Sequence, residues 1–384
     1  MAPSGEPHEG SDLGLLLTRL QSDGLRSNGL LTETRTHGAG PSDAGMLWVE
    51  GVATTVPTHS DFVRSSPYEL REEAREQLGI YLDGERIASA ARSHRPRYYD
   101  LQTADGVPYW KIAVLHLDSV ASTVIQTCAY WGTGDQCRFC GIEASLGLGR
   151  TIRAKRPDQL AEVATAAKDL DGAVDVTLTT GTTHGPDKGA LYLGRCARSI
   201  KDASGLPVEA QFEPPEDSHV LEAVHELGVD SVGMHVESFD PNVLARVAPA
   251  KARTGIEGYF LAWERAVEVF GRGQVSTYVI LGMGEDPDMT VAGCKRAIDA
   301  GVYPFVVPLR PVLGSLMHDH RPPEPVYVET IYREVGTYMA ERGMSSADVR
   351  AGCARCQGCS AIATFERRLG GPDGPGRASL RHAG

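Results

Sequence analysis

The chain of 384 residues has no apolar run of the roughly 18 residues that a membrane-spanning helix needs. Basic residues are also in the minority, since 38 Lys and Arg face 50 Asp and Glu, for a net charge of −12. The basic surface typical of nucleic-acid binding is therefore missing. The first residues, MAPSGEPHEGSD, contain no basic segment followed by an apolar one, so they do not resemble a secretory signal, and we expect a cytoplasmic protein.

Cysteine is scarce, with eight in the whole chain, which is too few for a disulfide scaffold. The cysteines are nevertheless grouped. Two groups of three and two separate residues occur: Cys128, Cys137 and Cys140; Cys353, Cys356 and Cys359; and Cys196 and Cys294. In a cytoplasmic chain such groups indicate metal binding or catalysis rather than disulfides.

From about residue 120, apolar and β-branched runs alternate with helical patterns. The predicted strands are Ser122–Thr127, Val174–Thr180, Val208–Phe212, Ser231–Glu237, Val275–Leu281 and Pro304–Leu309. The predicted helices are Pro157–Leu170, Ala190–Ala203, Asp217–Leu227, Glu257–Phe270 and Asp288–Ala300. Six such alternations indicate a parallel sheet with crossover helices. The predicted fold class is therefore α/β, with a partial (β/α)6 TIM-like barrel, an N-terminal α+β extension and a C-terminal Cys-rich segment.

The predicted domains are a flexible segment over 1–45, an α+β cap over 46–119, the barrel over 120–324, a helix with the cysteine-rich segment over 325–365, and a disordered tail over 366–384. Short helices are predicted at Leu13–Asp23, Tyr68–Leu78 and Val326–Arg342. Within the cap, MLWVEGVATTV at 46–56 is strand-like, and a hairpin is predicted over Pro96–Val120 with its turn at 104–106.

The first cysteine group has the spacing C-x8-C-x2-C and follows the first predicted barrel strand, at the end where barrel enzymes place their chemistry. Three thiolates would leave one iron of a [4Fe–4S] cluster without a protein ligand, open to a substrate or cofactor. Two alternatives remain. Cys137 and Cys140 could share a zinc ion with Cys353 and Cys356, or the thiols could be buried and without a ligand.

With Phe139 directly before the third cysteine, this segment resembles the radical S-adenosylmethionine (radical SAM) superfamily. The usual motif there is C-x3-C-x2-C after the first strand of a partial (β/α)6 barrel, so the x8 gap is a departure. Within the superfamily the chain resembles a biotin-synthase-like family encoded in nitrilase-type gene clusters, through QSDGLRSNGLL at 21–31 and the C-terminal cysteine run. The resemblance implies an enzyme with S-adenosylmethionine and a [4Fe–4S] cluster on Cys128, Cys137 and Cys140.

The resemblance also implies contacts with S-adenosylmethionine at later strand ends. Besides Phe139, the implied cofactor-binding residues are Thr180, Gly181 and Thr182 for the amino group, Glu237 and Ser238 for the ribose or carboxylate, Ile280, Gly282 and Glu285 for the adenine, and Arg310 as a carboxylate or substrate clamp. The chain departs from the family at two points. The usual Glu after the second strand is missing, and Tyr278 replaces the first Gly of the fifth-strand pattern.

The implied reaction is reductive cleavage of S-adenosylmethionine to a 5′-deoxyadenosyl radical, which abstracts hydrogen from a small-molecule substrate, in nitrogen or nitrile metabolism by resemblance. Flavodoxin or ferredoxin is implied as the electron donor, with no nucleic-acid or membrane partner. One alternative is a radical SAM enzyme for sulfur insertion or methylthiotransfer that uses a C-terminal auxiliary cluster. The other is a zinc-stabilised non-catalytic module.

The second cysteine group, Cys353-x2-Cys356-x2-Cys359, resembles part of a ferredoxin cluster run and predicts a second [4Fe–4S] cluster. Its fourth ligand could be Cys196, Cys294, another side chain or the substrate. A zinc knuckle or redox-active unligated thiols are the alternatives. Among other polar residues, His235 in the fourth strand could face the barrel mouth or be a hydrogen-bonded core residue.

Overall fold

A computed structural model describes residues 9–31, 34–35, 43–73 and 77–366. These residues form two sheets connected by helices. Helix α1 (Glu9–Asp23) confirms the helix predicted near the amino terminus, and it buries Leu17 and Leu20. The predicted disordered tail lies outside the described residues from 367 onward.

The first sheet belongs to the cap and is antiparallel. Its strands are β1 (Thr34–Arg35), β2 (Ala44–Val49), β3 (Val52–Val56), β4 (Tyr68–Glu72), β5 (Leu78–Leu82) and β6 (Glu85–Arg92). They are ordered β1-β2-β6-β5-β4, and β3 pairs with β2. The strand-like run at 46–56 is therefore the β2–β3 hairpin, with the positive-φ residues Glu50 and Gly51 at its turn.

Two cap predictions are wrong. The segment predicted as a helix from Tyr68 to Leu78 contains strand β4 and the start of β5, because Tyr68 and Leu70 are buried at the spacing of two that a strand requires. The hairpin predicted over Pro96–Val120 is limited to one bridge, Gln102 to Pro108. A 3-10 turn and helix α2 (Tyr109–Ile112) occupy most of its expected strands.

The second sheet is the barrel, and it confirms the predicted fold class. Its strands are β7 (Val114–His116), β8 (Ser119–Thr123), β9 (Asp175–Thr179), β10 (Val208–Gln211), β11 (Ser231–Gly233), β12 (Val275–Leu281) and β13 (Val302–Pro308). Strands β8 to β13 are parallel and follow each other in chain order, whereas β7 pairs antiparallel with β8. The six predicted strands are present, the first of them three residues earlier in the chain than expected.

Helices cover the barrel sheet and most begin at a proline. They are α3 (Ala144–Gly147), α4 (Pro157–Asp171), α5 (Ala190–Ser204), α6 (Val220–Glu226), α7 (Pro241–Val247), α8 (Pro249–Phe270), α9 (Pro287–Asp299), α10 (Pro325–Glu341) and α11 (Cys353–Cys356). Proline suits the first turn because that position needs no N–H donor. Helix α7 was not predicted, and α8 begins eight residues before its predicted start, with a left-handed break at Gly255. None of the described helices is long and apolar enough to cross a bilayer.

The C-terminal segment closes the gap that six strands leave in the barrel wall. Ser360 donates a hydrogen bond to the carbonyl oxygen of Val306 in β13 (2.5 Å), and the Cys356 thiol lies 3.7 Å from the carbonyl oxygen of His116 in β7. The backbone N–H of Thr55 in β3 donates to the carbonyl oxygen of Gly358 (2.7 Å). The two edges of the barrel sheet and the cap are thus joined by one short stretch of chain.

Candidate active site

The strand-end cysteine loop, residues 128–140, follows β8 and is fixed by backbone hydrogen bonds. Ala129 N–H donates to the carbonyl oxygen of Thr182 (2.8 Å), in the turn after β9. Arg138 N–H donates to the carbonyl oxygen of Val247 (2.8 Å), at the end of α7. The loop therefore lies over the carboxyl ends of the parallel strands, where α/β barrels carry their active sites.

The turn after β9 packs so closely on this loop that position 181 requires glycine. Gly181 N–H donates to the carbonyl oxygen of Ile125 (2.8 Å). A Cβ at Gly181 would lie 2.1 Å from the carbonyl oxygen of Thr127 and 3.1 Å from the Cα of Cys128. These are backbone atoms, which cannot turn aside as a flexible side chain can. Gly181 thus sets the distance between the turn and the first cysteine.

The barrel encloses a cavity of about 290 Å³. The thiol-bearing residues Cys128, Cys137 and Cys140 line it, and so do Cys353 and Cys359. Every one of the strands β8 to β13, or the turn that follows it, contributes to the lining; examples are Ser122, Thr179, Gln211, His235, Tyr278 and Val307. Both cysteine groups therefore face one chamber.

The three cysteines of the strand-end loop are half-buried, and no disulfide links them. Burial raises the pKa of Cys140 to about 12 and raises that of Cys137 above its ordinary value as well. Because burial disfavours the thiolate, a bound cation is needed to hold these sulfurs deprotonated. This donor set suits iron, which binds the thiolate and not the thiol.

The zinc site considered from the sequence is not formed. Across residues 9–366, so far as they are described, no group of three or more His, Cys, Asp or Glu side chains is placed to hold a single metal ion. Ligands of one zinc ion all lie within about 2.3 Å of it, whereas the thiolates of a cubic cluster bind different irons. Cys128, Cys137 and Cys140 therefore stay candidates for ligands of different irons, and not of one zinc ion.

A buried ion pair lies beside the strand-end cysteine loop. Lys251, at the start of α8, donates to a carboxylate oxygen of Glu237 (2.5 Å) and to the carbonyl oxygen of His235 (2.7 Å). Burial by itself lowers the pKa of Lys251, but the Glu237 carboxylate raises it well above its ordinary value. Glu237 adopts a left-handed backbone (φ 70°), which turns the chain at the end of the fourth barrel strand. Both residues line the cavity and form a charged patch on its wall.

Removing one partner of this pair should be costly. We expect Lys251→Met to lower the free energy of unfolding by about 3–5 kcal/mol, because it leaves a buried carboxylate without its counter-charge. The double variant Lys251→Met/Glu237→Gln should recover most of that loss. Urea titration of the three proteins checks this, and a Lys251→Met protein as stable as the parent would show that the pair is not buried in solution.

His235 is a neutral side chain on the cavity wall. Its Nδ1 accepts a hydrogen bond from the backbone N–H of Tyr278 (3.1 Å), so the ring proton is on Nε2. Burial, with a smaller effect of Lys251, lowers its pKa well below the ordinary value. Its Nε2 is buried with no hydrogen-bond partner among the described residues, which leaves a donor available next to the cavity.

Seven of the ten implied cofactor-binding residues lie on the cavity wall: Phe139, Thr180, Gly181, Thr182, Glu237, Ile280 and Arg310. Arg310 is already engaged, because its guanidinium donates to the hydroxyl (3.1 Å) and the carbonyl oxygen (2.7 Å) of Thr55. It therefore fastens the cap to the end of β13, which the sequence did not indicate.

The other three, Ser238, Gly282 and Glu285, do not line the cavity. Glu285 accepts the backbone N–H groups of Gly282 and Met283 (2.7 Å each) and the hydroxyl of Tyr327 (2.7 Å). Ser238 accepts the N–H of Asp240 (3.2 Å). These residues fix the turns after β11 and β12, and the adenine and ribose contacts implied for them stay predictions.

This assignment predicts a stability effect without a binding effect. Glu285→Ala should lower the free energy of unfolding by about 2–4 kcal/mol, because it deprives two N–H groups and a hydroxyl of a charged acceptor. The dissociation constant for S-adenosylmethionine should change less than about threefold. Thermal unfolding and calorimetric titration measure the two quantities, with the exposed Glu268→Ala as the matched control. If Glu285→Ala binds S-adenosylmethionine much more weakly at unchanged stability, Glu285 contacts the cofactor directly.

The C-terminal cysteine loop, residues 351–360, is attached to the opposite end of the barrel. Arg355 forms ion pairs with Asp118 (2.6 Å), just before β8, and with Asp175 (2.5 Å), the first residue of β9. Gly352 N–H also donates to Asp175 (2.8 Å). A Cβ at Gly352 would lie 2.1 Å from the buried carboxylate of Glu209. The loop is thus held at the amino ends of the strands by a buried polar network.

Several of these residues were missed at the sequence level. Lys251 belongs to a helix that was predicted to begin later, and Thr55 belongs to the cap. Asp175, Glu209 and Arg355 carried one weak signal, which is a charged residue within or beside an apolar segment. Their contacts across the C-terminal cysteine loop join residues 144 to 237 positions apart in the chain, so no local pattern could pair them.

The described residues thus form a half-barrel whose strand ends carry a three-cysteine loop beside a cavity. The family model described as "Radical SAM superfamily" matches residues 132–301. The match covers 170 of the 384 residues and spans β9 to β12, so this part of the chain is similar to radical SAM enzymes. The matched range begins after Cys128, so the assignment of that cysteine depends on the cavity alone.

One curated relative is the bacteriochlorophyllide c C-7(1)-hydroxylase of Chlorobaculum limnaeum, which is 25% identical over 334 residues covering 80% of each chain. Among solved structures, methylornithine synthase is similar at 16% identity and a TM-score of 0.46, over 64% of this chain and 69% of that one. A radical SAM methyltransferase from Sphaerobacter thermophilus is similar at 14% identity and a TM-score of 0.45, over 72% and 75%. The superfamily implies S-adenosylmethionine and a [4Fe–4S] cluster.

Proposed function

We propose that this enzyme holds a [4Fe–4S] cluster on Cys128, Cys137 and Cys140, cleaves S-adenosylmethionine reductively, and uses the resulting radical on a small molecule bound in the cavity. The observation that carries the proposal is that Cys128, Cys137 and Cys140 all line one cavity at the carboxyl ends of the strands. When bound, the reduced cluster supplies the electron that breaks the S–C5′ bond of S-adenosylmethionine, giving methionine and a 5′-deoxyadenosyl radical that abstracts hydrogen.

The residues of the chain position the reactants. Thr180 and Thr182 present a hydroxyl and carbonyl groups beside Cys128, which suits the amino group of S-adenosylmethionine. The Lys251–Glu237 pair offers a cation and an anion for its carboxylate and ribose hydroxyls. The Nε2 donor of His235 lies next to the chamber.

The substrate proposed is a small molecule. A volume of about 290 Å³ lies just below the usual range for ligand sites, so a substrate that binds there beside S-adenosylmethionine must be small. Abstraction of hydrogen from carbon is the step that we carry over from the name of the hydroxylase relative, without its bacteriochlorophyllide. A compound of nitrogen or nitrile metabolism is our candidate class, by the resemblance of the sequence, with flavodoxin or ferredoxin as the electron donor.

We also propose that Cys353, Cys356 and Cys359 hold a second [4Fe–4S] cluster. Because two of these cysteines line the same cavity, sulfur insertion or methylthiotransfer is the second candidate function. It predicts that one turnover removes sulfide from the protein and places it in the product. Assay of acid-labile sulfide before and after a single turnover, with mass spectrometry of the product, separates it from simple hydrogen abstraction.

The main proposal is tested by anaerobic reconstitution of the full chain. The reduced protein should show the electron paramagnetic resonance (EPR) signal of a [4Fe–4S] cluster, which changes on addition of S-adenosylmethionine, and dithionite should produce 5′-deoxyadenosine. Incubation without reductant is the control. A protein that takes up iron and S-adenosylmethionine yet forms no 5′-deoxyadenosine under any reductant would refute the proposal.

A further inference from the structure

The two cysteine loops approach the cavity from opposite ends. The strand-end loop is attached at the carboxyl ends of the strands, as described above. The C-terminal loop is attached at the amino ends: besides the Arg355 contacts, Ser231, the first residue of β11, donates its hydroxyl to the carbonyl oxygen of Ala351 (3.0 Å). A molecule in the cavity therefore lies between two groups of thiols.

Hydrogen-bond donors point at the two cavity-lining sulfurs of the C-terminal loop. Gln211 Nε2 lies 3.4 Å from Cys353 Sγ. Thr55 Oγ1 lies 3.4 Å from Cys359 Sγ and 3.1 Å from the carbonyl oxygen of Gly358, so its one proton is shared between these two acceptors. The Tyr278 hydroxyl also hydrogen bonds to the Cys353 sulfur. A neutral thiol is a weak acceptor, whereas a metal-bound thiolate is an electron-rich one that such donors stabilise. The surroundings of these sulfurs thus match thiolate ligands of a cluster.

These donors are themselves held in place. Gln211 Nε2 also donates to Glu209 Oε2 (2.7 Å), and Glu209 in turn accepts the hydroxyl of Ser276 (3.1 Å) and the N–H of Cys353 (3.2 Å). Thr55 is fixed by Arg310. The site is therefore organised by elements from both the barrel and the cap.

The two remaining cysteines cannot provide a fourth ligand for a cluster on the C-terminal cysteine loop. Cys196 in α5 and Cys294 in α9 are fully buried within the helical layer, and neither lines the cavity. Of the four possibilities left open for the fourth ligand, another side chain and the substrate therefore remain. With three thiolates, a cubic cluster has one iron without a cysteine ligand.

We infer that the C-terminal cysteine loop binds an iron–sulfur cluster whose open iron faces the cavity and anchors the substrate through a carboxylate, amine or thiolate group. The inference depends on the proposed function, because that function makes the cavity the reaction chamber. It assigns the substrate class as a small molecule with a Lewis-basic donor group, bound directly to iron opposite the S-adenosylmethionine site.

The test uses the full chain carrying Cys137→Ala/Cys140→Ala, which removes the first site. After anaerobic reconstitution we expect about four irons per chain and a reduced-cluster EPR signal. Addition of ¹³C-cyanide, a general ligand for an open iron, should introduce a ¹³C coupling into that signal. Adding Cys359→Ala should remove most of the iron, whereas adding Cys294→Ala should not. Less than about one iron per chain in the double variant, or a cluster without ¹³C coupling, overturns the inference.

Two further measurements separate this inference from the proposed function. The variant Cys353→Ala/Cys359→Ala should retain the first cluster and form 5′-deoxyadenosine without substrate. If this variant keeps its fold but loses the first cluster and the formation of 5′-deoxyadenosine, the result counts against the proposed function instead. Gln211→Leu should make the midpoint potential of the second cluster more negative, because a donor to a ligand sulfur is removed, and should leave the first potential unchanged. An unchanged second potential would contradict the ligand role of Cys353.

Discussion

Replacing Cys137 by alanine should reduce the formation of 5′-deoxyadenosine to the background of the uncatalysed reaction. Cys137 lines the cavity together with Cys140, and its loss leaves two thiolates where three are needed to hold the cluster with one iron free. Cys128→Ala should have the same effect, which matters because Cys128 precedes the range that the family model matches. Chromatography of reaction mixtures with dithionite measures the product.

The matched control is Cys196→Ala. Cys196 is a fully buried cysteine of α5 that does not line the cavity, so this variant loses a sulfur of the same kind without touching the site. It should retain both the iron content and the rate of 5′-deoxyadenosine formation of the parent. If Cys128→Ala behaves like this control while Cys137→Ala is inactive, Cys128 is not a cluster ligand, and another residue is the third ligand beside Cys137 and Cys140.

The second large effect is expected for Gly181→Ala. The added Cβ would lie 2.1 Å from the carbonyl oxygen of Thr127, so the turn after β9 must move away from the strand-end cysteine loop. Overpacking of this kind costs about 1–3 kcal/mol where side chains can adjust, and here only the backbone can. We expect folding stability to fall by at least that amount and iron uptake to fall with it.

Iron analysis of the folded fraction, with urea unfolding of the apoprotein, separates the two effects. Gly134→Ala is the control, because it adds a methyl group to the same loop where nothing lies within 4 Å. A Gly181→Ala protein with parental stability and full iron content would show that the turn and the loop are not in contact as described.

The barrel could be predicted because its signals are local. Each strand is a short apolar run and each helix an amphipathic segment, and the observed β12 (Val275–Leu281) has the predicted ends. The cap could not be predicted as well, because Tyr68–Leu78 is polar enough to suggest a helix. Its strands are stabilised by pairing with β6, which lies further along the chain.

Of the site, sequence reasoning found the residues whose motifs lie at strand ends. Cys128, Cys137, Cys140 and Thr180–Thr182 are examples. The C-terminal cysteine group was found by its spacing instead, and five of the six grouped cysteines line the cavity. Residues that act through distant partners were not found. Lys251 contacts Glu237, fourteen positions away, only because α8 starts early, and Arg355 meets Asp175 across 180 positions. Such contacts form when the barrel closes, and they produce no periodic pattern in the amino-acid sequence.

The most direct test of the central claim is electron–nuclear double resonance on the reduced, reconstituted enzyme with S-adenosylmethionine labelled with ¹⁵N in its amino group. The account predicts a ¹⁵N coupling to the cluster, since three thiolates leave one iron free to bind that group. The coupling should disappear in Cys128→Ala and persist in Cys196→Ala. A cluster that forms and binds S-adenosylmethionine without any ¹⁵N coupling would contradict the account.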